Sequence, residues 1–345
     1  MLKKKRMMGL ILSLVTVVGL LAGCGNKTAA NTPDTESQTT VQSQSIGKKR
    51  VVCTIFPEYD WAKEIIGELG GQYDLTLLLD NGVDLHSYQP TAEDIAKIAE
   101  CDVFVYVGGE SDGWVEDALK ETKNKDRQVI NLLDVLGDTV KEEEAVEGME
   151  PEDEAEPETG AEGEEGPEYD EHVWLSLKNA KVLVEAMTDA MKKVDSDNGD
   201  TLQSNCNAYI QKLEDLDQAY ETGISEGTKH TLVFGDRFPF RYMVDDYDLD
   251  YYAAFAGCSA ETEASFETII FLAEKVDELN LSHVMVIENS DQKLARTIIN
   301  NTADKNQTIL ELDSMQSTAS QDIAAGETYL SAMEKNLDIL KMALK

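Results

Sequence analysis

Four histidines are the side chains of this sequence best suited to binding a metal ion: His86, His172, His230 and His283. Imidazole nitrogens bind zinc and several other transition metals, and histidine is the commonest metal ligand in proteins. A lone loop histidine is weak evidence of a site, and the chain has no HExxH segment that would place two rings on one helix face. The secondary structure around each histidine must therefore decide which of them could form a site.

Short apolar runs alternate with amphipathic stretches along most of the chain after residue 50. This alternation is typical of α/β proteins whose mostly parallel sheets are covered by helices on both faces. Strands are expected at 51–56, 75–79, 103–107 and 129–133 and, later in the chain, at 231–234, 249–255, 284–287 and 308–312. Helices are expected at 61–69, 91–99, 114–121, 177–194, 238–247, 265–279, 292–301 and 321–344.

A longer helical pattern, at 197–223, separates the two groups of strands. About 27 residues at 1.5 Å per residue would make a rod about 40 Å long. The sequence thus predicts two α/β lobes with parallel sheets, joined by one long bridging helix. We place the boundaries at 50–140 for the first lobe, 172–196 for a helical connection, 197–225 for the bridging helix and 226–345 for the second lobe.

The predicted strands separate the histidines into two groups. In parallel α/β sheets, ligands bind beyond the carboxyl ends of the strands. His86 follows the strand at 75–79, and His172 lies where an acidic segment gives way to Val-Trp-Leu. His230 and His283 stand at the amino ends of their strands, so His86 and His172 are the candidate ligands.

The segment 141–171 interrupts the alternation of strands and helices. About half of its residues are Asp or Glu, three are Pro, and aliphatic side chains are nearly absent. Such a segment repels itself and stays solvated. We therefore expect an acidic disordered loop here.

The amino-terminal residues have the pattern of a bacterial export signal. Basic residues 3–6 precede an apolar run at 7–20, which is shorter than the roughly 20 residues that a membrane-spanning helix needs. The next four residues, Leu-Ala-Gly-Cys, resemble the lipobox, in which cleavage precedes the cysteine and its thiol is acylated. We expect a lipoprotein signal peptide at 1–24, a lipid anchor on Cys24, a flexible tether at 25–49 and a location on the outer face of the cell membrane.

Charge and cysteine spacing exclude two classes of site. A formal net charge of −37 at pH 7 argues against nucleic acid as a partner, because phosphate binding relies on clustered Lys and Arg. No CxxC pair occurs among Cys53, Cys101, Cys206 and Cys258, which argues against a four-cysteine zinc site. Whether these four cysteines form disulfides or stay as buried thiols is left open by the sequence.

Two segments around the candidate histidines resemble motifs of one protein family. GVDLHSYQPT, at 82–91, resembles the G-x-D-P-H-x-Y-x-P-T segment of the zinc- and manganese-binding solute-binding proteins of bacterial ABC importers, bacterial solute-binding protein family 9. DEHVWL, at 170–175, resembles that family's D-P-H-x-W-L. The resemblance extends from Val51 to the end of the chain, and it implies that the bridging helix is rigid and that a metal cleft lies between the lobes. In both segments the histidine matches a family metal ligand, so the resemblance implies that His86 and His172 bind metal.

The resemblance implies a third and a fourth ligand, and this sequence departs from the family pattern at the third. The family's third ligand, a His in zinc binders or a Glu in manganese binders, stands three residues before a Phe. Counting back from Phe238 gives Gly235, which cannot bind a metal through a side chain. We take Asp236, at the carboxyl end of a strand, as the substitute, with a helix N-cap as its alternative role. The family's late Asp matches Asp313.

Two more carboxylates are candidates for a supporting or alternative ligand role. Glu288 directly follows the strand at 284–287, and Glu263 lies in a loop. Imidazoles suit zinc, whereas carboxylates favour manganese or iron. The mixed ligand set therefore predicts metal binding but leaves the identity of the metal open.

The resemblance implies extracytoplasmic capture of a divalent transition metal, zinc first and manganese as the alternative, by a monomer without enzymatic activity. The cargo would pass to the membrane permease of an ABC importer. A protein of the same fold that binds manganese, iron or a metal chelate is a second interpretation. A metal-dependent hydrolase with Glu288 or Asp236 as general base is a third, although the chain has neither HExxH nor a nucleophile elbow.

Overall fold

The computed structural model of the protein describes residues 47–150, 168–259 and 263–345. The predicted signal peptide, Cys24 and the tether through residue 46 lie outside these described residues, as does the middle of the acidic segment. No helix in the described ranges is long and apolar enough to cross a membrane.

The first lobe is built on a sheet of four parallel strands in the order β2-β1-β3-β4. The strands are β1 (Lys49–Cys53), β2 (Tyr73–Leu77), β3 (Val103–Tyr106) and β4 (Gln128–Asn131). The helices are α1 (Phe56–Ile66), α2 (Ala92–Glu100), α3 (Val115–Lys120) and α4 (Leu132–Leu136). Apolar runs such as the one in β3 are buried because helices cover both faces of a parallel sheet.

Two helices connect the lobes. α5 (Leu177–Val194) packs on the first lobe against β4, and α6 (Gly199–Ser225) packs on α5 and α1. The predicted bridging helix is thus present, with 27 residues. It begins two residues later than expected because a 3-10 turn at Ser196–Asn198 precedes it.

The second lobe repeats the arrangement, with four parallel strands in the order β6-β5-β7-β8. The strands are β5 (Thr231–Phe238), β6 (Asp250–Ala256), β7 (His283–Ile287) and β8 (Thr308–Leu312). The helices are α7 (Arg241–Asp246), α8 (Phe266–Glu278), α9 (Lys293–Asn301), α10 (Ser320–Ala325) and α11 (Tyr329–Ala343). All eight predicted strands are present, which confirms the two-lobe α/β fold.

Several helices differ from the prediction. α4 was not expected, and the helix expected at 238–247 is the shorter α7, because β5 continues to Phe238. Asp236 therefore lies within β5, and its alternative role as a helix N-cap was wrong, since Phe240 is the N-cap of α7.

The helix expected at 321–344 is two helices, α10 and α11, because the backbone turns at Gly326 with a φ of 105° and Thr328 caps the second helix. α1 begins at Phe56 and not at residue 61, because Glu58 accepts the backbone N–H groups of Thr54 and Ile55 at its amino end.

The described ends of the acidic segment are held against the second lobe. Glu142 and Tyr169 form an antiparallel bridge, and the backbone N–H of Glu150 donates to the carbonyl oxygen of Ala254 at 2.9 Å. The expected disorder at 141–171 therefore does not describe 141–150 and 168–171, where backbone hydrogen bonds hold the chain.

The carboxyl ends of the two sheets face each other across the cleft. Asp84, which follows β2, accepts a 2.7 Å ion-paired hydrogen bond from the Arg237 guanidinium near the end of β5. The backbone N–H of Ser320 donates to the carbonyl oxygen of Asp80 at 2.8 Å. The loops that leave both sheets thus meet where ligands bind in such folds.

Candidate metal site

The two candidate histidines meet at this edge. His86 lies in a 3-10 turn, Leu85–Ser87, whose N-cap Asp84 accepts the His86 backbone N–H at 3.0 Å. His172 immediately precedes the turn that leads to α5, and Asp170 accepts its backbone N–H at 2.8 Å. The Nε2 atoms of the two rings are 3.2 Å apart. Residues 86 positions apart in the sequence are thus adjacent in space.

The outer nitrogen of each ring is held by a neighbouring group. Nδ1 of His172 lies 2.9 Å from Oδ1 of Asp170 and must donate to it, because an ionised carboxylate only accepts. Nδ1 of His86 lies 2.8 Å from Oγ of Ser111 and 3.6 Å from Oε2 of Glu171. The two Nε2 atoms are within hydrogen-bonding distance of each other, so without a metal ion one of them carries a hydrogen. When hydrogen is on both Nδ1 atoms and on neither Nε2, the two Nε2 lone pairs face each other. Metal-binding histidines are held in this tautomer by such outer partners.

The distance between the facing nitrogens fits a shared zinc ion. Nitrogen ligands lie about 2.0–2.1 Å from zinc, so two of them at the tetrahedral angle are about 3.3–3.4 Å apart. The observed 3.2 Å is close to this separation. Two imidazoles in this geometry can therefore bind one ion with little movement of either ring.

A third potential ligand atom lies beside the two histidines. In the described part of the chain, His86, His172 and Cys258 form a group whose ligand atoms all lie within 4.8 Å of one another. Cys258 follows β6, and Gly257 lets the chain approach the ring, since a Cβ there would lie 3.0 Å from Cε1 of His172. Cys258 was not predicted as a ligand from the sequence, although its place just after a predicted strand was a signal that could have identified it.

Acidic side chains surround this group. A cavity of about 300 Å³ is lined by His86, Cys258 and Ser111, by Tyr169, and by Glu110, Glu143, Glu168 and Glu171. The backbone N–H of Cys258 donates to Oε1 of Glu143 at 3.0 Å. Such a cluster of carboxylates attracts cations to the cavity.

Burial and charge set the protonation of the group. Burial, together with the neighbouring His172, lowers the pKa of His86 to about 3, which keeps its ring neutral and its lone pair available at neutral pH. Burial alone would lower the pKa of His172, but Asp170, Glu171 and Glu143 together outweigh burial and raise it. Burial raises the pKa of Cys258, with Glu143 adding to the effect. Burial also raises the pKa of Glu171.

Two of the predicted carboxylate ligands lie in a neighbouring cavity. Asp236 and Glu288 line a space of about 750 Å³, and neither His86 nor His172 is among its lining residues. Oδ1 of Asp236 accepts the backbone N–H of Arg237 at 3.0 Å. Glu288 accepts the backbone N–H and the hydroxyl of Ser314.

The other two predicted carboxylates also lie outside the His86–His172–Cys258 group. Oδ1 of Asp313 accepts the backbone N–H of Met315 at 2.8 Å, and burial together with Glu288 raises the Asp313 pKa to about 7. Glu263 is exposed at the start of the segment that leads into α8. The ligand roles of all four carboxylates stay predictions.

Arg237 was not among the predicted site residues. It lies two residues after Gly235, the position to which the resemblance assigns the third ligand. Its positive charge acts on His86, and its guanidinium pairs with Asp84. Position 235 has no room for a side chain, because a Cβ there would lie 2.7 Å from Cα of Ala295 in α9. The structure thus brings the Arg237 side chain next to the turn that holds His86.

The two parallel sheets, the long helix between them and the paired histidines at the cleft define a two-lobe solute-binding protein. Residues 51–343 match the profile of the family described as ZnuA, zinc-uptake complex component A, periplasmic. The chain belongs to this family.

Individual relatives agree with the family match. The chain is 33% identical over 300 residues to the zinc-binding lipoprotein AdcA of Streptococcus pneumoniae R6, a match that covers 87% of this chain and 56% of AdcA. It is 31% identical over 325 residues to the high-affinity zinc uptake system protein ZnuA of Bacillus subtilis, covering 94% of each. The chain thus spans about half the length of the streptococcal relatives.

Solved structures show the same fold. The Zn(II)-bound ZnuA-like domain of Streptococcus pneumoniae AdcA superimposes with a TM-score of 0.66 at 31% identity, over 86% of this chain and 99% of that domain. The metal-dependent lipoprotein YcdH of Bacillus subtilis gives a TM-score of 0.68 at 27% identity, over 86% and 100%.

Proposed function

We propose that the protein captures zinc outside the cytoplasm and delivers it to the permease of an ABC importer. The observation that carries this proposal is the 3.2 Å separation of the His86 and His172 Nε2 atoms, with both outer nitrogens held by Ser111 and Asp170. Membership of a zinc-uptake family, and relatives named for zinc binding, support zinc as the cargo. Manganese is the alternative cargo if the predicted carboxylate ligands enter the site.

Cargo binding fits the site better than hydrolysis. Catalytic zinc needs an open position for water and a general base beside it. Glu288 and Asp236, the bases that the sequence offered, line the neighbouring cavity. We therefore propose that the protein binds and releases its metal without turnover.

The cell-surface location rests on the amino-terminal sequence. We propose that cleavage before Cys24 and acylation of its thiol anchor a monomer to the outer face of the cell membrane, as the lipobox-like residues 21–24 indicate. The expected result of Cys24→Ala is loss of the lipid-modified form from the membrane fraction, read by mass spectrometry of the intact protein. An unmodified Cys24 in the membrane-bound wild type would contradict the anchor.

The site is tested by competitive titration of zinc and manganese against a chelating dye. The protein without residues 1–24 is suitable, because residues 47–345 form one compact unit. We expect one zinc per chain. His86→Ala and His172→Ala should each lower the zinc affinity by more than about 100-fold. Mutation of a residue that only hydrogen-bonds a metal ligand lowers affinity by about 10–100-fold, so a larger loss indicates a ligand.

A matched control is His283→Ala. His283 begins β7, at the opposite end of the strand from the cleft, and its ring bonds to the Thr308 hydroxyl. Its removal should leave zinc affinity unchanged. Preference for manganese, or zinc binding that is indifferent to His86 and His172, would overturn the proposal.

A further inference from the structure

We propose that the thiolate of Cys258 is the third protein ligand of the captured metal, and that this His2Cys set selects zinc over manganese. The inference rests on the proposed function, to which it adds the missing ligand and a physical basis for selectivity.

The geometry of the three ligand atoms supports this assignment. Zinc–sulfur bonds are about 2.3 Å and zinc–nitrogen bonds about 2.0–2.1 Å, so tetrahedral zinc places sulfur and nitrogen about 3.6 Å apart. The Cys258 sulfur and the two histidine nitrogens already lie within 4.8 Å of one another. A movement of about 1 Å or less would bring all three to bonding distance. Three protein ligands leave a fourth position for exchange, which suits a cargo that must be released.

The third-ligand position offers no side chain here, so a ligand is needed from a new position. The resemblance places that ligand at Gly235, which cannot bind a metal through a side chain. Arg237, two residues later, is held by Asp84 at 2.7 Å, and its guanidinium stays protonated and has no lone pair to offer a cation. The next strand of the sheet supplies a substitute nearby. β6 pairs with β5 with Phe238 opposite Ala256, two residues before Cys258.

The local structure holds Cys258 towards the histidines. Glu143 accepts its backbone N–H at 3.0 Å, and the missing side chain of Gly257 allows the close approach to His172. Cys258 lines the same cavity as His86. Of the other described cysteines, Cys53, Cys101 and Cys206 are fully buried and are not among the residues that line this cavity. All four are free thiols in the structure.

The chemistry of the donor set favours zinc. On binding, the S–H bond of Cys258 breaks, a zinc–sulfur bond forms, and the proton passes to solvent. Thiolate is a soft ligand that zinc accepts readily, whereas manganese prefers carboxylate and water oxygens. One thiolate leaves a net charge of +1 on the ion, and the buried Glu171 carboxyl, whose Oε2 lies 3.6 Å from His86 Nδ1, is placed to offset it.

The direct test is cobalt substitution. Cobalt(II) bound by a thiolate has an intense near-ultraviolet charge-transfer band that nitrogen and oxygen ligands do not produce. The wild-type protein without residues 1–24 should show this band on cobalt addition, and Cys258→Ser should lose it. Cys206→Ala is the matched control, because it removes a buried thiol of α6 that lies away from the site. It should keep the band.

Zinc affinity gives a second, independent measure. Cys258→Ala should lower it by more than about 100-fold, above the range of outer-shell changes, and should narrow the preference for zinc over manganese. Metal-free thermal unfolding at the wild-type temperature would show that the variant is folded. If the variant is not folded, the presence or absence of the thiolate band in the cobalt spectrum of the wild-type protein tests the ligand role.

The outcomes separate the two proposals. Wild-type zinc binding that depends on His86 and His172 but not on Cys258, or a cobalt spectrum without the thiolate band, would overturn the ligand role and leave zinc capture in place. Failure of the wild-type protein to bind zinc would overturn the proposed function itself.

Discussion

At the residue scale, the partner of His172 should matter nearly as much as a ligand. Asp170 fixes the His172 tautomer by accepting from Nδ1 at 2.9 Å, and an amide in its place can donate as well as accept. Asp170→Asn should therefore lower zinc affinity by about 10–100-fold. Competition with a zinc chelator measures this. The control is Asp189→Asn, an exposed carboxylate of α5, and equal affinities of the two variants would contradict the tautomer argument.

The sequence could predict the site residues that stand in recognisable motifs, but not those that only the fold brings to the site. His86 and His172 follow from strand edges and from two family motifs, and the structure brings them together. Cys258 and Arg237 were missed because a ligand set is made of distances between elements that lie far apart in the chain. Spacing along the chain reveals ligands only when they share one element.

At the element scale, Gly326 makes one predicted helix into two. Its φ of 105° is costly for residues with a Cβ, although space is open there, since no atom lies within 4 Å of the Cβ position. Gly326→Ala should lower the free energy of unfolding by about 1–2 kcal/mol. Urea denaturation measures the change. Gly70→Ala is the matched control, because Gly70 has equally open space and no positive φ, and it should be neutral or slightly stabilising.

Glu58, at the start of α1, should make stability fall as pH rises. Burial, with a contribution from Asp112, raises its pKa to about 8, whereas an unfolded Glu has a pKa of about 4.3. The folded state therefore holds a proton that the unfolded state has released between these values, and this stabilisation is lost as pH rises through about 8. The metal-free protein should lose at least about 1 kcal/mol of unfolding free energy from about pH 5.5 to 8.5.

The variant Glu58→Gln tests this cause. Glutamine keeps an acceptor for the backbone N–H groups of Thr54 and Ile55 but carries no titrating proton. Its stability should change less with pH than that of the wild type. Glu121→Gln alters an exposed carboxylate and should keep the wild-type slope. Parallel slopes for wild type and Glu58→Gln would show that another group is responsible.

Strand positions were predictable, whereas helix ends were not. The eight strands are short runs rich in apolar residues, a pattern visible in consecutive residues. The start of α1 depends on Glu58 accepting Thr54 and Ile55, and the break before α11 depends on one backbone angle. The two described ends of the acidic segment, 141–150 and 168–171, were predicted to be disordered. Composition alone does not reveal the groups of the second lobe to which they are hydrogen-bonded.

At the scale of the whole molecule, two α/β lobes and a long helix between them followed from the order of elements alone. What the order could not show is how firmly the lobes are joined. Tyr329 of α11 donates from its hydroxyl to the carbonyl oxygen of Trp174 at 2.6 Å, and its backbone N–H donates to Asp60 of α1 at 2.9 Å. Trp174 in turn donates to the carbonyl oxygen of Ser314 at 2.8 Å. These buried bonds connect the lobes independently of any metal.

Zinc binding should therefore change the overall shape very little. α6 spans both lobes, with Asn205 bonded to the end of α1 and Tyr220 bonded to the carbonyl oxygen of Met333 in α11. Small-angle scattering of residues 47–345 should give a radius of gyration of about 19 Å both with zinc and with a chelator. A His86→Ala, His172→Ala double variant controls for zinc bound by surface carboxylates. Marked compaction on zinc addition in the wild type alone would show that the lobes close as hinged bodies, and that the bridge is not rigid.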